Sequence, residues 1–482
     1  MNLSTLILHP FLFFLAPFII LFAGTQHSSI VRSYFSPAFA VLAALQLFAI
    51  VAAGLLLGRL INDRRKAFLA VSAVKVTLSF CAFIHNTFFA QALISGSRLS
   101  AWDGLVPFLA ALLPALALLW VFKFLKDTAA ATRFFNIFAL CLFFSSIISA
   151  GLQFSAPRPE APASPAAHPV PQLKAGAGAP DIYHIICDGY TDSAAMRKYY
   201  GLDLRPFENA LENRGLRVIR DVTADYPSTE YSLASVLNMR YLPPGLTITE
   251  AGRMLRESSV SAALKSAGYR YIYITAGMLP QRNVFADSTP VYDRYPLHFA
   301  MLRMSPLLFY YDSYMYGQIS YSFTAFAEAA RLPGPKLVVF YISLPHPPYL
   351  FAADGSMTPA ALRGDFDWEN REGYTAQVAY TNSELLRALA GIEKNPSGRK
   401  AVIIIHSDHG TRGAAKTEAE RRKRKLEIFC AMRLPGKIPP PPGFAPANLY
   451  RVIFNEYFGA RLPLLEKRPW RNHTKGGRSE DL

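Results

Sequence analysis

The chain has 482 residues, of which 51% are hydrophobic, and it carries a formal net charge of +16. Most of the hydrophobic residues lie in residues 1–155, whereas the remainder has the composition of a water-soluble enzyme. Much of the positive charge lies in short loops between apolar segments and in a tail after Arg461. No recognisable nucleic-acid-binding motif accompanies that charge. The distribution therefore argues against nucleic acid and favours a membrane with anionic head groups as the partner.

Five apolar segments are long enough to be transmembrane helices, since such a helix needs about 20 mainly apolar residues. The third segment is the weakest because Lys75, His85 and Asn86 interrupt it. The first is interpreted as a retained helix because no positively charged segment precedes it and further apolar segments follow. The predicted spans are residues 6–24, 37–61, 67–91, 104–125 and 134–154.

The loops between these segments differ in charge, and the difference predicts an orientation. Lys and Arg in short loops stay on the cytoplasmic side of a membrane. The first and third loops hold only Arg32 and Arg98, so the amino terminus is expected in the cytoplasm and residue 156 onward outside it. The basic residues near the second and fourth loops are Arg59, Arg64, Arg65, Lys66, Lys123, Lys126 and Arg133.

After the last apolar segment the composition changes twice. Residues 156–180 are rich in Pro and Ala, which is typical of an extended, semi-rigid spacer. From residue 181 to about 466, short β-rich runs alternate with helical patterns, and a basic tail follows at 467–482. We therefore predict a helical membrane domain at 1–155, a linker, and an outer domain.

The outer domain has the pattern of an α/β fold. Near-continuous apolar runs such as residues 402–405 are typical of strands that are buried on both faces. Their alternation with helices predicts an α/β/α domain around a mainly parallel sheet. The predicted strands are residues 181–187, 216–222, 269–275, 337–344, 401–406 and 427–434, and the predicted helices are 203–214, 229–238, 257–267 and 371–393.

Polar residues follow two of the predicted strands, where α/β sheets bind ligands. Asp188 follows the first strand, and Asp408 and His409 follow the fifth. An Asp-Gly pair after a strand is commonly only a turn, and Asp408 with His409 could be a capping residue and a surface histidine. A carboxylate and an imidazole at one sheet edge would instead suit a divalent cation.

A hydroxyl stands where the 229–238 helix is predicted to begin. Pro227 breaks the preceding chain, so Ser228 or Thr229 comes first in the helix. The ordinary role of a hydroxyl there is to cap the helix. The functional alternative is a nucleophile, because the backbone N–H groups and the helix dipole stabilise an anion and an alkoxide. A hydroxyl needs such help, together with a metal, because of its high pKa.

In this order and spacing, these segments resemble the alkaline phosphatase/sulfatase superfamily. The closer likeness is to its sulfatase-like members, which include lipoteichoic acid synthase and the lipid A phosphoethanolamine transferases. The resemblance covers residues 181 to about 466. The stretches that carry it are residues 180–190, 226–238, 344–348, 407–410 and 449–459.

The resemblance implies a site with a single divalent metal ion, namely Zn, Mn or Mg. Thr229 would be both a ligand and the nucleophile, His346 would assist at the transferred group, and Arg412 would add positive charge there. The reaction would transfer phosphoglycerol or phosphoethanolamine from a phospholipid to an envelope glycan or glycolipid through a phospho-threonine. The enzyme would be an inner-membrane protein with its catalytic domain outside. The implied metal ligands are Asp188, Thr229, Asp408 and His409.

Other interpretations stay open at this stage. A sulfatase would need a Cys or Ser in a Cys/Ser-x-Pro/Ala-x-Arg sequence, and none surrounds the four cysteines, which we interpret as free thiols. A phosphodiester hydrolase or a catalytically silent membrane regulator would share the fold, and His346 could be a plain loop histidine. Arg412 could simply be a salt-bridge partner of Asp408. The basic run 421–425 is interpreted as a surface that faces solvent or lipid head groups.

Overall fold

The protein is described by a computed structural model. It forms two compact units, Met1–Pro165 with Asp293–Tyr311, and Ala166–Tyr292 with Asp312–Leu482. The residues that the structure describes are 7–24, 37–78, 102–155, 171–174, 176, 178–276, 283–290, 292, 311–359 and 368–467.

The described part of the first unit is helical wherever a span was predicted. The second half of the third predicted span, residues 79–91, lies outside the described residues. Two helical stretches, Ala44–Ile61 and Thr128–Ser149, are long and apolar enough to cross a membrane by length and composition, and Ala111–Phe124 is a shorter apolar stretch. The five-helix bundle therefore stays a prediction. The helices are His9–Gly24, Pro37–Ile61, 64–78, Trp102–Leu119 with a π-helical turn Trp120–Phe124, and Thr128–Ser155.

Polar contacts join three of these helices. The Asn136 side chain accepts hydrogen bonds from the backbone N–H groups of Leu8 and His9, at 3.0 and 2.9 Å. The His9 Nδ1 lies 2.6 Å from the Ser72 Oγ. The first helix begins at His9, so Asn136 satisfies N–H groups that have no partner within that helix. Such internal pairing is needed wherever water is scarce.

The second unit contains a six-stranded sheet with the order β2-β6-β5-β1-β4-β3. β1 is parallel to β4 and β5, and β3 is parallel to β4. β6 is antiparallel to β5 and β2 is antiparallel to β6. The predicted mainly parallel sheet is thereby confirmed. The strands are β1 Ile182–Asp188, β2 Arg217–Val218, β3 Arg270–Ala276, β4 Lys336–Pro345, β5 Val402–Ser407 and β6 Cys430–Arg433.

β2 is much shorter than the predicted 216–222 run. It is an edge strand that pairs with β6 alone. Beyond Val218 the chain stays beside β6 through separate backbone hydrogen bonds, from the Ile219 N–H to the Cys430 carbonyl at 2.9 Å and from the Ala224 N–H to the Leu426 carbonyl at 2.8 Å. The apolar pattern of residues 216–222 thus records burial along the sheet edge rather than a continuous ladder.

Helices surround the sheet, whose β1, β4 and β5 strands are buried along their full length. Burial of every residue in a strand requires cover on both faces, which explains the near-continuous apolar sequence of these strands. The helices are Ser193–Ala195 followed by a π-helical turn Met196–Tyr200, Arg205–Glu212, Thr229–Leu237, Ile248–Arg256, Ser259–Ser266, Tyr311–Arg331, Arg371–Glu393, Pro396–Arg399, Glu418–Leu426 and Leu449–Phe458, the last preceded by a 3-10 turn Pro446–Asn448.

The central strands end together, and this positions the candidate site. Cys187 of β1 is in register with Ser407 of β5, and Asp188 is in register with Pro345 of β4. The register of β1 with β4 shifts between Cys187 and Asp188. Such bulges re-aim a side chain at the end of a strand. The residues that follow these three strands therefore converge on one edge of the sheet.

Candidate active site

Four predicted residues meet at this edge in a buried cluster. Asp188 ends β1, His346 follows β4, and Asp408 and His409 follow β5. The His409 Nε2 lies 3.3 Å from the Asp188 Oδ1 and 3.9 Å from the Asp408 Oδ2. One ligand atom from each of Asp188, His346 and His409 lies within 4.8 Å of the others. Two carboxylates and two imidazoles at this spacing can coordinate a single divalent cation.

The hydrogen bonding of the two carboxylates fits a cation between them. Asp188 accepts a hydrogen bond from the Tyr341 hydroxyl on its Oδ2, and Asp408 accepts on its Oδ1 from the backbone N–H groups of Gly189 and His409. The remaining oxygens, Asp188 Oδ1 and Asp408 Oδ2, are buried without a hydrogen-bond partner. Buried oxygens of this kind are costly unless something positive contacts them.

The protonation states of the cluster point in the same direction. Burial, followed by repulsion from Asp408, raises the pKa of Asp188 to about 7. Burial raises the pKa of Asp408 to about 6, although several hydrogen bonds oppose the shift. Burial lowers the pKa of His409 to about 4. A divalent cation needs neutral imidazoles and ionised carboxylates, and its charge would offset the repulsion between these two carboxylates.

The orientation of His409 is fixed by its other ring nitrogen. The His409 Nδ1 lies 2.8 Å from the Gly410 carbonyl oxygen, so the proton on Nδ1 donates to that oxygen. The lone pair of Nε2 then faces the Asp188 carboxylate. A carbonyl partner of this kind sets the tautomer of a metal-binding histidine and orients its ring. The residues present therefore fit a divalent metal ion.

His346 lies within the ligand cluster itself. Its Nδ1 is 2.5 Å from the Pro347 carbonyl oxygen, and its own carbonyl accepts a hydrogen bond from the Gln377 side chain at 2.8 Å. Its ring packs edge-on against Trp368, with centroids 4.7 Å apart. Burial, followed by the positive charge of Arg412, lowers the pKa of His346 to about 3. This neutral imidazole can contact a metal ion or a phosphoryl oxygen.

Thr229 is the first residue of the helix Thr229–Leu237, and its hydroxyl forms a hydrogen bond with the Asp408 carboxylate. Ser228 occupies the N-cap position with an extended backbone, yet its side chain makes no capping hydrogen bond. The Thr229 side chain thus turns towards the carboxylate cluster instead of closing the helix end. Thr229 is also partly exposed. A substrate can therefore reach its hydroxyl at the amino end of a helix, where anions are stabilised.

Arg412 lies at the same edge. Its guanidinium is 5.8 Å from the centre of the Trp368 ring, and its Nε is buried without a hydrogen-bond partner. Burial lowers the pKa of Arg412, and the charges of Asp188 and Asp408 oppose that shift. Arg412 therefore contributes positive charge close to the two carboxylates.

Three features of the site were not predicted from the sequence. Tyr341 holds Asp188, and Trp368 covers His346, Arg412 and the glycine after Asp188, where an added Cβ would lie 2.8 Å from the indole. The basic run 421–425 is only in part the predicted exposed surface, because its last two residues, Arg424 and Lys425, are buried.

Comparison with known proteins identifies the family but not a close relative. The family described as Sulfatase matches residues 185–427. No protein of curated function matches the chain. Among solved structures, the C-terminal periplasmic domain of EptC from Escherichia coli is 14% identical, with a TM-score of 0.43, over 59% of this chain and 84% of that one.

Two further solved structures show a similar degree of likeness. The lipoteichoic acid synthase LtaP from Listeria monocytogenes is 15% identical, with a TM-score of 0.40, over 59% of this chain and 76% of that one. The phosphonate monoester hydrolase of Agrobacterium radiobacter is 13% identical, with a TM-score of 0.38, over 58% of this chain and 73% of that one.

Proposed function

Because this chain belongs to the sulfatase family, we propose that its outer domain transfers a phospho-head group, phosphoglycerol or phosphoethanolamine, from a phospholipid to an envelope glycan or glycolipid. The observation that carries this proposal is the hydrogen bond between the Thr229 hydroxyl and Asp408. It puts a hydroxyl nucleophile next to a buried acidic cluster that fits a divalent cation, at the amino end of a helix.

The residues divide the work of such a transfer. Asp188, Asp408 and His409, with the Thr229 oxygen, would hold the metal ion, which can be Zn, Mn or Mg. When bound, that ion supplies Lewis acidity, which favours an ionised hydroxyl and neutralises phosphoryl oxygens. His346 faces the transferred group from the end of β4 and steadies one of its oxygens.

The reaction proceeds in two displacements. In the first, the Thr229 oxygen bonds to phosphorus while the bond from phosphorus to the diacylglycerol oxygen breaks. The Thr229 proton passes to Asp408, its hydrogen-bond acceptor, and the departing oxygen takes a proton from water. In the second, an acceptor hydroxyl attacks phospho-Thr229, loses its proton to solvent, and the threonine hydroxyl is restored. The covalent intermediate splits one difficult step into two easier ones.

Two alternatives are less well supported by the residues. A formylglycine sulfatase needs a modified Cys or Ser, but the nucleophile position holds Thr229, and Cys187 and Cys430 are buried in strands. A silent regulator would not need the orphaned oxygens of Asp188 and Asp408 to face the same imidazole. A hydrolase would use the same residues with water as the acceptor.

The proposal includes a membrane anchor for this domain. The stretches Ala44–Ile61 and Thr128–Ser149 are only 11% and 22% buried. Large apolar side chains such as Phe48, Leu60 and Phe134 are more than half exposed along these helices, which suits lipid better than water. We propose five spans within residues 1–155, a cytoplasmic amino terminus, a spacer at 156–180 and a catalytic domain at 181–466 on the outer side.

The test is Thr229→Ala in the purified full-length chain, with Ser228→Ala as the matched control. Head-group transfer is measured with fluorescent phosphatidylglycerol and phosphatidylethanolamine in detergent with added divalent metal. Loss of the nucleophile lowers the transfer rate by on the order of 1000-fold or more. Ser228→Ala keeps the rate, because its side chain makes no capping hydrogen bond. Transfer that survives Thr229→Ala refutes the scheme.

Mass spectrometry then identifies the chemistry. Acid-quenched wild-type protein carries one phospho-head group on Thr229. Envelope glycolipids from cells with the wild-type chain exceed those from Thr229→Ala cells by the mass of one head group. A chain that binds no divalent metal in stoichiometric metal analysis would support the regulator instead.

A further inference from the structure

The basic run in the helix Glu418–Leu426 separates into exposed and buried members. Arg421, Arg422 and Lys423 are exposed, and each lies within 3.7 Å of a glutamate oxygen on the same surface. Arg424 is buried but well satisfied, because it donates to the Gly413 carbonyl at 2.7 Å. Lys425 is 3% exposed, and no carboxylate in the described part of the chain forms an ion pair with it.

The end of this helix is fixed against the loop that carries the site residues. The Gly410 N–H donates to the Lys425 carbonyl oxygen at 2.7 Å. A Cβ added to Gly410 would lie 2.0 Å from the Arg424 carbonyl oxygen, so only glycine permits this approach. Lys425 is therefore held next to the segment that contains His409 and Arg412.

Positive charge dominates the surroundings of the Lys425 ammonium. Arg412 is its strongest charged neighbour, Arg421 and Arg422 add to the repulsion, and Glu418 alone opposes it. Burial, followed by Arg412, lowers the pKa of Lys425 to about 8. Unpaired charges are costly to bury, and two neighbouring ones of the same sign are more so. An anion bound between Arg412 and Lys425 would remove this cost.

The position next to Thr229 indicates which anion. Arg412 lies close to Asp188 and Asp408, and Asp408 contacts the Thr229 hydroxyl. We propose that Lys425 and Arg412 form a paired cationic site for the non-bridging oxygens of the phosphoryl group, with Lys425 as a binding residue that lies outside the metal ligand set. This inference rests on the proposed phosphotransfer function. An ammonium acts on phosphate as a compact point charge, and a guanidinium adds a planar set of donors.

The test compares Lys425→Met with Lys423→Met in the full-length chain. Lys423 lies on the same helix, and its side chain is 71% exposed. Inorganic phosphate binding is measured by calorimetry in detergent with metal present, and the KM for phosphatidylglycerol and phosphatidylethanolamine is measured in parallel. Lys425→Met weakens phosphate binding and raises the phospholipid KM by about 10- to 100-fold, the usual effect of losing one charge-assisted contact. Lys423→Met changes either value less than about twofold.

Thermal unfolding provides a readout that does not depend on activity. Lys425→Met removes a buried cation without a counter-ion, so the phosphate-free variant unfolds at a higher temperature than the wild type. Added phosphate raises the unfolding temperature of the wild type and has little effect on the variant. Lys425→Arg keeps the charge and retains phosphate binding within about tenfold. A Lys425→Met variant that unfolds early instead contradicts the unpaired-cation argument.

The outcomes separate this inference from the proposed function. Wild-type phosphate affinity in Lys425→Met overturns the inference, and so does an equal loss in Lys423→Met. Weaker phosphate binding with an unchanged KM would make the site one for free phosphate and would overturn the head-group assignment. If transfer survives Thr229→Ala while phosphate binding still depends on Lys425, the proposed function fails and the anion site stands.

Discussion

The Tyr341 hydroxyl is the contact that most directly links the fold to the metal site. It donates to the Asp188 Oδ2 from the middle of β4, and both residues are buried. Tyr341→Phe removes this donor and changes no other side-chain volume. A hydrogen bond to a charged group is worth about 1.5–3 kcal/mol, and loss of a partner that orients a metal ligand weakens metal affinity by about 10- to 100-fold. We expect a loss of that size for Zn or Mn.

The assay is competition against a chromogenic chelator at pH 6 and pH 8. Tyr341 lowers the pKa of Asp188, so its removal leaves more of this carboxyl protonated and enlarges the loss of affinity at pH 6. Tyr450→Phe is the control, since Tyr450 bonds His184 at 2.9 Å within the core. That variant should lose stability and keep its metal affinity. Wild-type metal affinity in Tyr341→Phe would show that Asp188 is not a ligand or needs no orientation.

The strands could be predicted because their sequence reflects burial directly. Residues 402–405 are apolar without alternation, and β5 is buried on every residue. The parallel arrangement then brings the residues after β1, β4 and β5 to one edge, which is why Asp188, His346 and Asp408 could be grouped before any coordinates. The exact length of β2 could not, because an edge strand and a buried edge loop share the same apolar pattern.

The remaining site residues depend on contacts that a linear pattern does not encode. Tyr341 lies 153 residues from Asp188 and belongs to a strand in which every residue is buried, so nothing marks its face. Lys425 lies in a run of five cations that was interpreted as one surface. On a helix each residue is rotated by about 100° from the last, so a continuous run must face several directions. The burial of Lys425 follows from that rotation and from the docking of Gly410.

Hydropathy predicted helices throughout the first unit more readily than it predicted spans. The third prediction, 67–91, coincides with a helix over residues 67–78, and its remainder lies outside the described residues. Length is the limiting property, since His9–Gly24 has 16 residues while a span needs about 20. Interhelical packing and the true ends of a span depend on neighbours and on lipid, which local hydropathy does not contain.

Two buried carboxylates outside the site give further predictions. Lys336→Met leaves Asp181 without its fully buried partner at 2.8 Å, so it should lower the free energy of unfolding by about 3–5 kcal/mol, measured by denaturant unfolding. Asp225 accepts from the Ala447 N–H, and burial raises its pKa from 3.8 to about 7. The native state therefore binds more protons than the unfolded state between these values, and wild-type stability falls as the pH rises through that window. Asp225→Asn does not titrate, so its unfolding temperature should exceed the wild-type value at pH 8 by more than at pH 5. An identical pH dependence for both proteins would mean that Asp225 is already ionised at pH 5 in the folded chain.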